Sequence, residues 1–175
     1  LYGAQACVPA IKEHGEGGWV LNVASMAGMM GMPYAAAYCA SKAAVVSMTE
    51  SWVPELKPFG IHTSVLCPAF VKTRIHESYR NRQQKYAVAA EKRIDKEKLK
   101  AGAQAATKAV ESGIDASVLA ERVIEALQSE QTYIYTHPNY RKVTTARFGA
   151  IDSAFVDAEQ SQAVGHLIDD EIVTF

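Results

Sequence analysis

The chain of 175 residues carries 18 basic and 19 acidic side chains, for a formal net charge of −1, and 49% of its residues are hydrophobic. This balance is typical of an ordinary globular domain and gives no indication of nucleic-acid binding. No apolar run approaches the ~20 residues of a membrane-spanning helix. The first residues also lack the layout of a secretory signal, so we expect a cytoplasmic protein without membrane partners.

The cysteines and histidines give no indication of a metal site. Cys7, Cys39 and Cys67 stand far apart in apolar stretches, and the five histidines follow no metal-ligand spacing. Such isolated cysteines are typical of free thiols in a reducing compartment. We therefore predict three buried thiols, no disulfide and no bound metal.

Hydrophobic periodicity and turn residues predict alternating helices and strands. Residues 91–100, EKRIDKEKLK, are so densely charged that we interpret the segment around them as a solvated helical excursion. In chain order we expect a helix at 2–13, a strand at 19–23, a loop at 24–33, a helix at 35–57, a strand at 61–67, an excursion at 76–113, a helix at 115–127, a strand at 132–136 and a C-terminal helix and tail at 139–175. The helix at 115–127 has Val118, Val123, Ile124 and Leu127 on one face.

The order of these elements predicts an α/β fold in one domain. Strands of nearly continuous apolar character that alternate with helices indicate a parallel sheet covered on both faces. Ligands of such sheets bind at the carboxyl ends of the strands. The loops at 24–33 and 67–73 both lie at such ends, so we expect a binding site there.

Tyr38 and Lys42 lie one helical turn apart in the apolar stretch YAAAYCASKAAVV, at 34–46. Residues four apart share a face of a helix, so the phenol and the ammonium can occupy one small volume. A nearby positive charge stabilises phenolate, which suits a tyrosine to move a proton. A pair at this spacing also arises by chance, and the alternative is a lysine whose stem packs along the helix.

Three motifs occur together in this order: NVAS at 22–25, YCASK at 38–42 and CPAFVKT at 67–73. Together they resemble the short-chain dehydrogenase/reductase family. The resemblance implies a Rossmann-like doubly wound parallel sheet and an oxidoreductase that interconverts an alcohol and a ketone with NAD or NADP. It also implies a homodimer or homotetramer. Small residues around Tyr38, such as Ala44, fit close packing of that helix against a second subunit.

The resemblance also implies residue roles. Tyr38 would be the general acid/base, Lys42 would favour its phenolate and bind the nicotinamide ribose, and Ser25 would orient the substrate oxygen. Cofactor contacts are implied for Tyr38, Lys42, Pro68, Ala69, Phe70, Val71 and Thr73. The family usually has glycine where Ala69 stands, which adds one methyl beside the nicotinamide. The alternatives are a helix cap for Thr73 and an ordinary loop hydroxyl for Ser25.

The substrate is indicated by four methionines directly after Ser25, at 26, 29, 30 and 32. Flexible, polarizable side chains suit an apolar or aromatic alcohol or ketone, and we expect contacts from Ser25, Met26, Met32 and Tyr38. The alternative is that the methionines only pack beneath the loop. We also expect the excursion at 76–113 to form a lid over the substrate, because it is longer and more charged than a minimal connection.

The family's glycine-rich phosphate-binding turn, its first βα units and its catalytic asparagine are not found in these 175 residues. We therefore expect the C-terminal part of a complete enzyme, and the residues that choose between NAD and NADP lie outside it. A non-catalytic scaffold of the same family is the main alternative. An epimerase or dehydratase on the same fold is a further one.

Overall fold

The computed structural model describes residues 1–86 and 96–173. Its helices are α1 (Tyr2–His14), α2 (Ala36–Leu56), α3 (Lys96–Glu111), α4 (Ala116–Gln128) and α5 (Arg141–Glu159), and its strands are β1 (Gly18–Val23), β2 (Ile61–Cys67) and β3 (Tyr133–Tyr135). Short 3₁₀ segments occur at Met26–Gly28, Lys57–Phe59, Ile75–Asn81, Gln84–Tyr86, Pro138–Tyr140 and Gly165–Asp169. The predicted order of elements is confirmed, with α3 and two of the 3₁₀ segments inside the excursion.

Internal contacts divide the chain into two compact units, Leu1–Thr136 and His137–Phe175. The first unit holds all three strands, and the second holds α5 and the last two 3₁₀ segments. Of the charged run at 91–100, only 96–100 lie within the described residues, where they begin α3. None of the helices in the described part of the chain is long and apolar enough to cross a membrane.

The sheet is parallel, with the strand order β1-β2-β3. The pairing of β1 with β2 runs from Gly18 opposite Ile61 to Val23 opposite Leu66. The strand β3 pairs only with the last residues of β2, from Val65 to Cys67. Because all strands run the same way, their carboxyl ends meet at one edge of the sheet, as the sequence predicts.

Helices cover the sheet on both faces. On one face, Val46 and Thr49 of α2 are buried, and the Asn22 side-chain amide donates a hydrogen bond of 3.0 Å to the Thr49 hydroxyl. On the other face, Ala126 of α4 packs with Leu66 and Ile134 in a buried cluster. Side chains alternate along β2, so neighbouring residues reach opposite faces of the sheet.

The buried stripe of α4 differs from the predicted one. The sequence predicts Val118, Val123, Ile124 and Leu127 on the buried face, but the structure packs Leu119, Val123, Ala126 and Leu127 there. Val118 and Ile124 are exposed. Ala126 has no exposed surface and packs on Leu66 and Ile134, so the face of α4 that meets the sheet includes a small residue that the apolar pattern does not mark.

The cysteines are free thiols, as predicted, but they are not all buried. Cys67 is buried at the end of β2, Cys39 is half-buried and Cys7 is exposed. The prediction of a buried thiol is therefore wrong for Cys7. It lies on α1, a helix in which no residue is fully buried in the described structure.

We expect Ile134→Ala to lower the free energy of unfolding of the complete protein by about 2–5 kcal/mol, because it opens a cavity in the core between β3 and α4. Ile134 has no exposed surface, whereas Ile124 is 56% exposed. The control Ile124→Ala should stay within about 0.5 kcal/mol of the unmodified protein. Urea unfolding measures both, and equal losses in the two variants would contradict this packing.

Candidate active site

Two backbone hydrogen bonds join the loops that follow β1 and β2. The Ala24 N–H donates to the Leu66 carbonyl at 2.8 Å, and the Met26 N–H donates to the Pro68 carbonyl at 2.9 Å. Ser25 lies between these two bonds. The loop that carries the predicted catalytic serine is therefore fixed beside the loop that carries the predicted cofactor contacts.

Ser25 has extended backbone and begins the short turn Met26–Gly28. Its Oγ accepts a hydrogen bond of 3.1 Å from the Ala27 N–H. This bond occupies one lone pair, and the hydroxyl keeps its own hydrogen as a donor. The side chain is thus oriented by the turn and still able to bind an oxygen.

The Ser25 loop packs directly on α2 at Gly28. A Cβ atom at Gly28 would lie 2.7 Å from the Lys42 carbonyl oxygen and 2.9 Å from its carbon. Only glycine allows so close an approach of the two backbones. This contact brings the loop against the helical turn that carries Lys42.

Lys42 reaches the end of β1. Its Nζ donates a hydrogen bond of 3.1 Å to the Val23 carbonyl and lies 5.9 Å from the centroid of the Tyr38 ring. Tyr38 is 42% exposed, so its ring is open to solvent on one side. An ammonium has three donors, and the bond to Val23 uses one of them.

The loop after β2 continues into a short bridge with the segment before α4. Val71 pairs with Ile114 in parallel, and the Thr73 hydroxyl accepts a hydrogen bond of 3.3 Å from the Ile75 N–H. Phe70 is 42% exposed. The bond to Ile75 is the kind a helix cap makes, so the alternative interpretation of Thr73 has support in the structure.

The four methionines differ in exposure. Met26 and Met29 are 4% and 7% exposed, Met30 is half-buried and Met32 is 37% exposed. The burial of Met26 favours the alternative in which it packs beneath the loop. Among these four, Met32 has the most surface available for a substrate.

Cys67 of β2 and Tyr133 and Tyr135 of β3 have raised pKa values. Burial raises the pKa of the Cys67 thiol to about 11, against the opposing effect of the hydrogen bond from the Ser25 N–H. The Tyr133 hydroxyl donates to Glu50 Oε1 at 2.6 Å, and this bond, helped by burial, raises the pKa of Tyr133 to about 12. Burial likewise raises the pKa of Tyr135. These groups therefore stay neutral at physiological pH.

Sequence reasoning missed several of these contacts. The Val23 carbonyl, the Gly28 contact and the Val71–Ile114 bridge are backbone features, and no side-chain pattern announces them. Glu50 had a signal, because it is one of only three charged residues in α2, with Lys42 and Glu55. In the described residues, no group of His, Cys, Asp and Glu side chains could hold a metal ion.

Comparisons with known proteins agree with the fold and with these motifs. Residues 1–84 match the family model described as short chain dehydrogenase. The chain is 30% identical over 149 residues to a CLA biosynthesis dehydrogenase/reductase of Lactiplantibacillus plantarum, covering 84% of this chain and 52% of that relative. It is 30% identical over 151 residues to a C alpha-dehydrogenase of Sphingobium sp. strain SYK-6, covering 86% and 48%.

A crystal structure of a short chain dehydrogenase/reductase from Burkholderia phymatum in complex with NAD superposes with a TM-score of 0.79. It is 33% identical in sequence, and the match covers 87% of this chain and 54% of that one. The fold and the motifs define a Rossmann-like α/β domain. The chain belongs to the short-chain dehydrogenase/reductase family. It spans about half the length of the curated relatives it matches.

The buried thiol of Cys67 predicts a loss of stability at alkaline pH. Its pKa rises on folding from 9.0 to about 11, so folding favours the protonated thiol. This stabilisation is complete below pH 9 and is lost as pH rises through 11. Between these values the free energy of unfolding falls by about 1 kcal/mol for each pH unit.

Cys67→Ala should therefore lose stability less steeply between pH 9 and 11 than the unmodified protein, as measured by urea unfolding. The control Cys7→Ala removes an exposed thiol and should leave the steepness unchanged. The same slope in Cys67→Ala and in the unmodified protein would refute this role of the thiol.

Proposed function

We propose that the complete protein is a nicotinamide-dependent oxidoreductase that interconverts an alcohol and a ketone. The observation that carries the proposal is Lys42, which is bound to the end of β1 and lies one turn from an exposed Tyr38. Ser25 begins the loop that packs on the same turn. A proton donor, a cation and a hydroxyl thus converge at the carboxyl end of a parallel sheet.

The three side chains have separate roles in this proposal. Tyr38 moves the proton, giving it to the carbonyl oxygen in reduction and taking it from the hydroxyl in oxidation. Lys42 stabilises the phenolate through its charge, and its remaining donors bind the nicotinamide ribose. Ser25 donates its hydroxyl hydrogen to the substrate oxygen. When bound, the nicotinamide accepts or supplies the hydride at the substrate carbon.

The loop after β2 offers a fitting site for the carboxamide of the cofactor. In the bridge, Ile114 bonds the Phe70 carbonyl and the Lys72 N–H. Successive residues of an extended chain point to opposite sides, so the N–H and carbonyl of Val71 point away from Ile114. They form one donor and one acceptor, which match the carbonyl and the amide group of a carboxamide.

Pro68, Ala69 and Thr73 complete the proposed nicotinamide contact. Pro68 is bonded through its carbonyl to Met26, which fixes the start of this loop. Either NAD or NADP satisfies these contacts, because the two differ only at the adenosine ribose. For the substrate we propose an apolar or aromatic alcohol or ketone, since Met32, in the loop that Ser25 begins, is exposed.

Tyr38→Phe tests the proposed acid/base. We expect turnover to fall by about 10²–10⁴-fold, because the variant keeps the ring and loses the proton. The circular dichroism spectrum should change little. Tyr2→Phe is the control, since Tyr2 is 85% exposed on α1. Nicotinamide absorbance follows turnover, with a panel of aromatic and aliphatic secondary alcohols.

Retention of more than about a tenth of the turnover in Tyr38→Phe would refute the assignment. Suppose that mixing with the reduced nicotinamide cofactor quenches fluorescence, which shows binding, but that the unmodified protein turns over no alcohol or ketone. The non-catalytic alternative is then favoured. The two outcomes differ in whether the unmodified protein is active.

We also propose that the complete protein is a homodimer or homotetramer. Small side chains on α2 are exposed beyond the face that holds Lys42, among them Ala40, Ala44 and Ser47. Small residues allow two helices to approach closely, and closed symmetry pairs the same surface on both subunits.

Ala44→Arg should shift the protein toward the monomer, because a long charged side chain would separate the two helices. Sedimentation velocity at micromolar concentration measures the shift. Ala120→Arg places the same side chain on an exposed position of α4 and is the control. An unmodified protein that sediments as a monomer, or an unchanged Ala44→Arg variant, would disprove this placement.

A further inference from the structure

The base of the excursion is closed by a clip, which we define as Phe70–Lys72 together with Gly113–Asp115. The Lys72 N–H donates to the Ile114 carbonyl at 2.9 Å, and the Ile114 N–H donates to the Phe70 carbonyl at 3.1 Å. These are the two bonds of the parallel bridge between Val71 and Ile114. The clip thus joins the end of the excursion to the backbone that the proposed function places at the nicotinamide.

Gly113 is the point of closest approach in the clip. A Cβ atom there would lie 2.4 Å from the Phe70 carbonyl oxygen, 2.5 Å from its carbon and 2.8 Å from the Val71 nitrogen. All three atoms belong to one peptide group, which cannot rotate away as a flexible side chain can. Any other residue at 113 must therefore displace the Phe70–Val71 peptide.

An ion pair closes the other side of the clip. Lys72 Nζ lies 2.9 Å from Asp115 Oδ1. Asp115 holds the N-cap position of α4, yet its side chain makes no capping hydrogen bond there. An aspartate at this position ordinarily caps the helix. Its carboxylate is turned instead toward the loop that follows β2.

The exposure of the pair shows what it can contribute. The Lys72 and Asp115 side chains are 48% and 61% exposed. Ion pairs in such positions add little to stability. Their fixed geometry can still hold the direction of a backbone segment, and here the segment is the one next to Val71.

We propose that Gly113, with the Lys72–Asp115 pair, positions the Phe70–Val71 peptide for binding of the nicotinamide ring. This inference rests on the proposed function. The two hydrogen bonds of the clip do not use the N–H and carbonyl of Val71, which face the proposed cofactor site. The orientation of the Phe70–Val71 peptide therefore decides whether both bonds to the carboxamide form. Gly113 itself touches neither cofactor nor substrate and is a positioning residue.

Gly113→Ala in the complete protein is the direct test. Its Cβ displaces the peptide that carries the Val71 N–H, and loss of one such hydrogen bond weakens binding about tenfold. The affinities are measured by calorimetry for NADH and NADPH, and for ADP-ribose and its 2′-phosphate, which lack the nicotinamide. We expect weaker binding of the reduced dinucleotide and unchanged binding of the matching ADP-ribose.

Gly102→Ala is the matched control, because a Cβ at Gly102 on α3 meets nothing within 4 Å. It should change neither affinity. Amide hydrogen exchange gives a second measurement: protection of the Ile114 and Lys72 amides should fall in Gly113→Ala and not in Gly102→Ala.

Asp115→Asn and Lys72→Met carry the same test if Gly113→Ala does not fold. The Asp115 side chain makes no capping bond, and asparagine is as good an N-cap residue as aspartate, so α4 keeps its start and only the charge pair is lost. Each variant should weaken binding of the dinucleotide about threefold and leave ADP-ribose unaffected, as expected for a pair worth less than about 1 kcal/mol.

The outcomes separate this proposal from the proposed function. An unmodified protein that binds neither ligand overturns both. Normal binding by the unmodified protein, with the same dinucleotide affinity in the clip variants, overturns the clip alone. Equal weakening for the dinucleotide and for ADP-ribose indicates general damage and also overturns the clip.

Discussion

The bond from Lys42 Nζ to the Val23 carbonyl is the constraint on which the rest of the site depends. Ala24 bonds to β2 through its N–H, so the carbonyl of Val23, one residue earlier in the strand, points away from β2 and needs another donor. The lysine supplies that donor and so ties α2 to the end of β1. Tyr38 is one turn earlier on the same helix, so this bond, together with the buried Val46 and Thr49, sets where Tyr38 lies relative to the sheet.

The same need for partners where the ladder ends organises the loops around the site. The Ser25 loop satisfies its backbone with Leu66 and Pro68, and the loop after Pro68 does so with Ile114. Two glycines allow these close approaches, Gly28 against Lys42 and Gly113 against Phe70. The proposed catalytic groups thus stand on backbone that hydrogen bonds fix at several points.

The sequence predicted the strands, their parallel direction and the long helix, since these depend on local periodicity and on the alternation of helices with strands. It also predicted that Tyr38 and Lys42 share one face of a helix and that Ser25 follows the first strand, because helical spacing and a strand end are local features. It did not predict the buried stripe of α4, because Ala126 carries little hydrophobic signal although it is fully buried. It also could not reveal that Gly113 meets Phe70, since that contact joins backbones 43 positions apart.

Two charged side chains of α2, Glu50 and Lys42, lie beside tyrosines in different environments. Glu50 holds its carboxylate against the Tyr133 hydroxyl at 2.6 Å, where the neutral phenol is favoured. Tyr38 instead has Lys42 one turn away on the same helix and an open side to solvent. A carboxylate that accepts the phenol hydrogen favours the protonated phenol. One helix therefore holds the proton of Tyr133 beside the sheet through a carboxylate, and it sets an ammonium near the exposed ring of Tyr38 at the end of the sheet.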